Sequence, residues 1–304
     1  MARVARAALV LAVVGMATWV ASSWAKDDSV SGDTTTTNVS AYAGTLVWSR
    51  ESPSGVHRLV SYSTTPTLLG PPRPTDIDVR TSDSPFDPDV GVSTRGAPRV
   101  VYTRCAGVSG RNCDVYQFDG KKESKVKGAS SARCSEFAPS IWRGVVAFGR
   151  SGPGRCPGLY LKGRGPALRL DRRIPADTDL SRNRVAYLHI PKPSRTVIRV
   201  FSLSKGGGRS HLVVAGVRAE GERTRVTTPT FAGRYLYFLF EDQRRKDFLL
   251  GRSIGQPGSA VELSDRKLPG SVDSIAVGGR RFYYTNGRGV LRATDPVPRF
   301  SARG

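Results

Sequence analysis

The sequence has few of the residues with which enzymes commonly carry out catalysis. Histidine occurs three times, as His57, His189 and His211, and these residues are far apart along the chain. The H-E-x-x-H metal signature does not occur at any of them. The glycine run at 206–208 is not followed by Lys-Ser or Lys-Thr, so it does not form a phosphate-binding loop. We therefore expect a protein that binds a partner rather than an enzyme.

Acidic residues are also under-represented. The chain of 304 residues has 47 Lys and Arg against 25 Asp and Glu, a formal net charge of +22. Such an excess favours attraction to an acidic protein or an anionic cell-wall polymer. The alternative is that arginine-rich composition and solubility explain the charge. The arginines are scattered through the sequence and are not interleaved with aromatic residues in one cluster, so nucleic acid is the less favoured partner.

The N-terminus has the pattern of an export signal. Arg3 and Arg6 precede an apolar run at 7–20, and Ser23-Trp24-Ala25 resembles a signal-peptidase site. The run is shorter than the roughly 20 apolar residues of a membrane span. We predict a signal peptide at 1–25 and a secreted or extracytoplasmic protein cleaved near Ala25. The alternative is an uncleaved N-terminal membrane anchor.

Four cysteines occur in the chain, at Cys105, Cys113, Cys134 and Cys156. An even number in an exported protein indicates disulfides, and four cysteines allow three pairings. Cys105 and Cys113 flank a loop between two predicted strands, and Cys134 and Cys156 flank one copy of the repeat described next. The rival interpretation is a metal site, but neither C-x-x-C nor a neighbouring histidine is present.

A short phrase recurs along the chain: apolar residues, a tight turn, then alternating apolar residues that end in an aromatic. It occurs at 41–48, 90–102, 141–148, 180–187, 231–238 and 277–284. The final aromatics are Trp48, Tyr102, Phe148, Tyr187, Phe238 and Tyr284. They recur at intervals of roughly 40 to 55 residues, a period typical of propellers. Gly or Asn occupies five of the turns, at Gly44, Gly144, Asn183, Gly233 and Gly279, as two-residue hairpins require.

Third strands are predicted at 56–62, 113–118, 158–162, 196–203, 247–252 and 289–293. Fourth strands are predicted at 67–70 or 76–80, then at 123–126, 167–170, 211–215, 259–263 and 299–302. Four strands per unit predict an all-β, six-bladed β-propeller of four-stranded antiparallel blades at 41–304. A β-sandwich also has many short strands, but it does not repeat one phrase at one interval. The Thr-rich segment 26–40 is either a leader or a strand that closes the ring.

The second unit carries a family resemblance. Phe86-Asp87-Pro88-Asp89-Val90, a strand ending at Tyr102, and Asp114-Val115-Tyr116-Gln117-Phe118-Asp119-Gly120 follow one another. This order resembles the WD40-like (PD40) repeat of TolB-like propellers. The third and fifth units retain its proline at Pro139 and Pro229. The resemblance implies a propeller fold in which the Asp and Gly residues of the motif form turns rather than act as catalysts.

The remaining candidates for function are two sets of charged residues. Acids precede or begin first strands, which line the channel of a propeller, at Asp87, Asp89, Asp177, Asp179 and Asp273. They form turns, bind Ca²⁺, or act as acid and base in a propeller-type hydrolase or lyase. Otherwise we expect no cofactor. Loops after the aromatics carry the basic candidates Arg104, Arg111, Arg150, Arg155, Arg195, Arg244 and Arg245. We predict a monomeric, secreted binding scaffold.

Overall fold

A computed structural model describes residues 28–33, 38–64, 73–106, 112–193, 195–203, 208–217, 225–241, 247–253, 272–278, 281–286 and 289–292. In these ranges the chain forms 23 β-strands. Their bounds are β1 Asp28–Ser31, β2 Val39–Tyr42, β3 Thr45–Glu51, β4 His57–Ser63, β5 Thr75–Asp76, β6 Asp89–Val92, β7 Pro98–Cys105, β8 Cys113–Phe118, β9 Glu123–Lys125, β10 Ser135–Trp142, β11 Val145–Ser151, β12 Gly158–Lys162, β13 Leu168–Asp171, β14 Pro175–Ser181, β15 Arg184–Lys192, β16 Arg195–Ser202, β17 Arg209–Val217, β18 Arg225–Ala232, β19 Tyr235–Glu241, β20 Asp247–Ser253, β21 Val272–Gly278, β22 Arg281–Asn286 and β23 Gly289–Arg292. Within the described ranges, no helix has the length and apolar character needed to cross a membrane.

The strands form six antiparallel sheets. In chain order these are β2–β5, β6–β9, β10–β13, β14–β17, β18–β20 and β21–β23 with β1, here numbered sheets 1 to 6. Five sheets have four strands, and sheet 5 has three in the part of the chain that the structure describes. The first strand of each sheet contacts the first strand of the next, and β21 contacts β2. The predicted all-β propeller with four-stranded antiparallel blades is therefore confirmed.

The outer strand of sheet 6 comes from the other end of the chain. β1 runs antiparallel to β23, with Asp28 opposite Arg292 and Ser29 opposite Leu291. The fourth strands predicted at 67–70, 259–263 and 299–302 lie outside the described residues. The alternative at 76–80 is represented by the short strand Thr75–Asp76.

The aromatics of the repeated phrase occupy the interior. Trp48, Tyr102, Phe148, Tyr187 and Tyr284 are fully buried and Phe238 nearly so. Six apolar clusters each join two neighbouring sheets; one of them brings Trp48 of sheet 1 together with Tyr283 of sheet 6. Burial of this apolar surface is the main stabilising term and fixes the sheets around a common axis.

Both disulfides are present. Cys105 pairs with Cys113 across the base of the β7–β8 hairpin, where the two residues are also register partners. Cys134 pairs with Cys156 and connects the segment before β10 to the loop that follows β11. No cysteine is free.

Candidate functional site

A cavity of about 800 Å³ lies on the axis of the ring, and residues from the first strands of all six sheets line it. We call it the central channel. The end of the ring at which first strands turn back into second strands, through residues 43–44, 93–97, 143–144, 182–183 and 233–234, is the turn face. Turns between third and fourth strands share this face, because the Thr64 amide donates to the Gly44 carbonyl at 2.7 Å and the Leu203 amide to that of Asn183 at 2.7 Å. The opposite end is the loop face.

Strand register places corresponding residues of the six first strands at one level of the channel. In each sheet the second strand carries the buried aromatic of the repeated phrase. The residue just before that aromatic pairs in register with a first-strand residue, which is polar in five sheets and alanine in the sixth. In sheet order these first-strand residues are Ser40, Asp89, Ser140, Asp179, Thr230 and Ala276. The two carboxyl groups at this level therefore come from sheets 2 and 4. Asp87 and Asp177 lie two residues earlier, nearer the loop face.

The carboxylates of sheet 2 bind the backbone of neighbouring sheets. Asp87 accepts from the Thr103 amide at 2.7 Å, from the Thr103 hydroxyl at 2.8 Å and from the Ala138 amide at 2.6 Å. Asp89 accepts from the Ser40 hydroxyl at 2.6 Å and from the Ile141 amide at 2.7 Å. Burial raises the pKa of both groups in spite of these bonds. Both side chains thus hold sheet 2 to sheet 3, and Asp89 also binds sheet 1.

The carboxyl groups of sheet 4 have fewer hydrogen bonds to the fold. Asp179 accepts from the amide of Phe231 in sheet 5. Burial, followed by the negative charge of Asp89, raises the pKa of Asp179. Burial raises the pKa of Asp177 to about 7, against the effect of the Thr178 amide, which lowers it. A carboxylic acid with such a pKa is partly protonated at neutral pH, so it both donates and accepts hydrogen bonds.

The fifth acidic candidate, Asp273 in β21, is exposed and does not line the channel. Among the residues that the structure describes, no group of three or more His, Cys, Asp or Glu side chains is arranged to hold a metal ion.

Two of the basic candidates on the loop face are engaged within the fold. Arg104 lies 2.5 Å from Glu123 and its guanidinium covers the Tyr116 ring at 3.9 Å from the centroid. Arg150 lies 2.9 Å from the buried Glu136 and 4.5 Å from the Tyr160 ring centroid. Both arginine side chains are only 13% exposed. Because each guanidinium group is paired with a glutamate and largely buried, neither arginine presents an exposed positive charge on the loop face.

The other basic candidates are exposed or undescribed. Arg155 is exposed in the loop between β11 and β12, and Arg195 is exposed as the first residue of β16. Arg111, Arg244 and Arg245 lie outside the described residues.

A second basic set, which the sequence analysis missed, lies on the turn face. The first hairpin turns of sheets 2 to 5 expose Arg95, Arg143, Arg182 and Arg234, and none of the first hairpin turns described contains an acidic residue. Arg182 and Arg234 line the channel mouth together with Tyr42, Trp142 and Tyr235. The repeated phrase contained the signal, because its turn carries an arginine in most copies.

The fold and the axial channel define a β-propeller. No protein-family model matches the chain, and no curated protein matches it. The TolB-like resemblance therefore stays a prediction.

Solved propellers share the architecture at low sequence identity. The chain aligns with the six-bladed, fucose-recognising lectin of the fungus Aleuria aurantia at 10% identity and a TM-score of 0.52, over 85% of this chain and 91% of the lectin. It aligns with the lectin SapL1 at 10% identity and 0.56, over 86% and 94%. A Mycobacterium tuberculosis puromycin-hydrolysing peptidase aligns at 10% identity and 0.55, over 90% of this chain and 54% of the peptidase. Likeness at this identity shows the fold alone.

Proposed function

We propose that this protein is a non-enzymatic binding propeller that holds an anionic cell-envelope polymer on its turn face. The observation that carries the proposal is the set of exposed arginines in successive first hairpin turns, Arg95, Arg143, Arg182 and Arg234. Sheets 2 to 5 follow one another around the ring, so these guanidinium groups form an arc. A guanidinium group is suited to bidentate recognition of carboxylate or phosphate.

The backbone at two of these arginines supports a role for their side chains. Arg143 has φ of 48° and Arg182 has φ of 55°, in the left-handed region that Gly or Asn adopts at lower cost. Residues held in such conformations are concentrated at functional sites. Gly or Asn would hold these two turns at lower cost, and the corresponding turn of sheet 1 has the same conformation at Ala43, with φ of 46°.

The distribution of charge also favours the turn face over the loop face. Arg104 and Arg150, two of the four described basic candidates of the loop face, are paired with Glu123 and Glu136, whereas no ion pair joins Arg95, Arg143 or Arg182 to an acid within the described part of the chain. The net charge of +22 adds a long-range attraction for any polyanion.

Two disulfides and the export pattern at 1–25 support an extracytoplasmic location. Disulfides persist in oxidising compartments and are rare in the cytosol. An exported protein meets the anionic polymers of the cell envelope, so the location and the proposed ligand agree.

The test compares two double variants with equal change in charge. Arg143→Gln/Arg182→Gln alters the turn face, and Arg155→Gln/Arg195→Gln alters the loop face. Binding to polygalacturonate, polyphosphate and polyglutamate is measured from about 0.05 M to about 0.5 M NaCl, over which the Debye length falls from roughly 14 Å to roughly 4 Å. The turn-face variant should lose about tenfold in affinity at low salt, since two exposed pairs contribute on the order of 1.4 kcal/mol.

Three results would contradict the proposal. Equal losses in the two variants would remove the assignment to the turn face. Binding that does not weaken with salt would remove the electrostatic basis. Preference for polyglutamate over the other polymers would indicate an acidic protein as the partner.

A second candidate function, a hydrolase or lyase, is favoured by one observation. Asp177 and Asp179 face the same channel with raised pKa values, and Asp89 lies at the level of Asp179. Carboxyl groups with different pKa values are suited to act as acid and base. Release of new chain ends from the bound polymer, abolished in Asp179→Asn, would support this function. No release by the unaltered protein would exclude it for that polymer.

A further inference from the structure

The mouth of the channel at the turn face is asymmetric in side-chain size. Register places one residue from each sheet at this level, two residues beyond the level that contains Asp89 and Asp179. In sheet order these residues are Tyr42, Gly91, Trp142, Ser181, Ala232 and Gly278. Two are large aromatics from sheets 1 and 3, and four are small. The mouth therefore has an aromatic wall on one side and open space on the other.

The sheet between the two members of the aromatic wall has a glycine at this level. Gly91 of sheet 2 has no side chain, and a Cβ there would lie 2.4 Å from the Ile141 carbonyl oxygen. Tyr42 and Trp142, from the two sheets that flank sheet 2, meet in an edge-to-face pair, with ring centroids 5.8 Å apart and planes at 79°. Both side chains are half-buried, so part of each ring borders the channel.

Cationic groups flank the open side. Arg182 follows Ser181 directly, and its side chain is exposed at the channel mouth. Arg234 donates from Nε and Nη2 to the Tyr235 hydroxyl at 3.1 and 3.0 Å, which fixes its guanidinium beside the channel. Below them lie the carboxyl groups of Asp179 and Asp89, on the inner wall of the same cavity. The order from outside to inside is cation, aromatic wall, then carboxyl groups.

We call the space at the channel mouth between the aromatic wall of Tyr42 and Trp142 and the two arginines the slot. We propose that the slot binds the terminal unit of an acidic glycan, with the sugar ring against Trp142 and its acidic group between Arg182 and Arg234. The proposal rests on the proposed function and adds the chemical class of the polymer and the way it is held. The hydroxyl groups of the sugar face the carboxyl side chains deeper in the channel. The cavity of about 800 Å³ is within the roughly 300 to 1,000 Å³ usual for ligand sites.

The slot favours a glycan over other polyanions because it combines three chemistries. A polyphosphate has charge but no apolar face to cover an aromatic ring. An acidic peptide has charge but lacks the ring of hydroxyl groups that the inner carboxyl groups can bond. A pyranose ring offers apolar C–H faces to Trp142 and polar edges to the carboxyls, and a uronic acid unit adds the anion for the arginines.

The experiment uses short ligands that fit the slot but span little of the turn face. Tetragalacturonate is compared with neutral maltotetraose, with tetraphosphate and with tetraglutamate, and Trp fluorescence is recorded along with calorimetric affinity. The sequence has four tryptophans, and the protein used is the form without residues 1–25, which lacks Trp19 and Trp24. Trp48 is fully buried, so a change in emission upon binding should come from Trp142 and disappear in Trp142→Tyr. Tetragalacturonate should bind at least tenfold more tightly than the other three ligands.

Variants separate the slot from the basic arc. Trp142→Ala removes the wall, and Ser181→Phe fills the open side without removing a group. Each should weaken tetragalacturonate binding at least tenfold and long polygalacturonate less than threefold, whereas Trp142→Tyr should retain tetragalacturonate binding within threefold. Thermal unfolding identifies a variant that is merely unfolded, and Ser181→Phe and Trp142→Tyr keep the test decisive if Trp142→Ala fails to fold.

The outcomes distinguish the two proposals. If long polymers bind with the expected salt dependence but tetragalacturonate binding is absent or unchanged in both slot variants, the slot is wrong and the proposed function stands. If tetraphosphate or tetraglutamate binds the slot as tightly, the assignment to a glycan is wrong. If no polyanion binds at low salt, both proposals fail.

Discussion

Replacing the strained turn arginines should stabilise the protein while weakening its binding of polyanions. Arg143 and Arg182 have φ of 48° and 55°, a conformation that costs an ordinary residue about 1 to 2 kcal/mol. Arg143→Gly and Arg182→Asn remove much of that cost. Glycine also increases the entropy of the unfolded chain, which lowers the free energy of unfolding by about 0.5 to 1 kcal/mol. The net increase in the free energy of unfolding is therefore about 0.5 to 1 kcal/mol per site.

The two sites lie in different sheets, and their effects should add. We expect the double variant to gain about 1 to 2 kcal/mol, or a rise in Tm of roughly 2 to 6 °C for a domain of this size. Differential scanning calorimetry measures Tm, and chemical denaturation measures the free energy of unfolding. The same variant should bind polygalacturonate about tenfold more weakly at low salt, so stability and binding change in opposite directions.

Arg95 provides the control for charge alone. It is exposed on the same turn face, but its φ is not positive. Arg95→Asn should weaken binding and leave Tm within about 1 °C, since surface changes away from such features are usually within about 0.5 kcal/mol. If Arg95→Asn raised Tm as much as the changes at Arg143 and Arg182, relief of charge repulsion would explain the gain. An unchanged or lower Tm in the double variant would refute the strain argument.

Three further predictions concern the channel and the closure of the fold. Burial raises the pKa of Asp177 to about 7, so the contribution of this group to stability is present below about pH 4 and is lost as pH rises toward 7. Asp177→Asn should therefore raise Tm by several degrees at pH 8 and leave it unchanged at pH 4. An equal rise at both pH values would contradict the role of ionisation. Cys134→Ser/Cys156→Ser opens a loop with a sequence separation of 22 and should lose about 3 kcal/mol in denaturant unfolding, whereas no loss would show that the pairing adds nothing to stability. Deleting residues 26–33 removes β1 from sheet 6 and should lower Tm, with an unchanged Tm as the contrary result.

The repeated phrase predicted the fold well because its signals are local. A positive-φ glycine in a turn and an aromatic at a fixed distance after it depend on neighbours within a few residues, as at Gly144 and Phe148. The contacts of the charged residues are not local. Asp89 accepts from the amide of Ile141, 52 residues away, and Arg150 is paired with Glu136 across a hairpin. The sequence pattern assigned Asp89 to the open channel and Arg150 to an exposed loop, because a local pattern does not contain these hydrogen-bond and ion-pair partners.

The aromatic wall of the slot escaped prediction for a different reason. Tyr42 and Trp142 each end a first strand and resemble ordinary strand residues. They come from sheets 1 and 3 and meet across sheet 2, so three units must be superposed in register before the wall is visible. The turn arginines are present in the sequence pattern, but the Gly or Asn beside each of them already accounts for the turn, so the pattern alone does not assign a role to the charge.

The pairing of β1 with β23 has a consequence for biogenesis. Residues 28–31 find their partners at 289–292, so the sheet that closes the ring is assembled from parts made at nearly opposite times of synthesis. Until β23 has been synthesised, the interface between sheets 6 and 1, which includes Trp48 and Tyr283, is incomplete. A chain of this design therefore passes through a stage with an open ring and an unpaired strand edge, and such species are prone to aggregate until the closing strands are made.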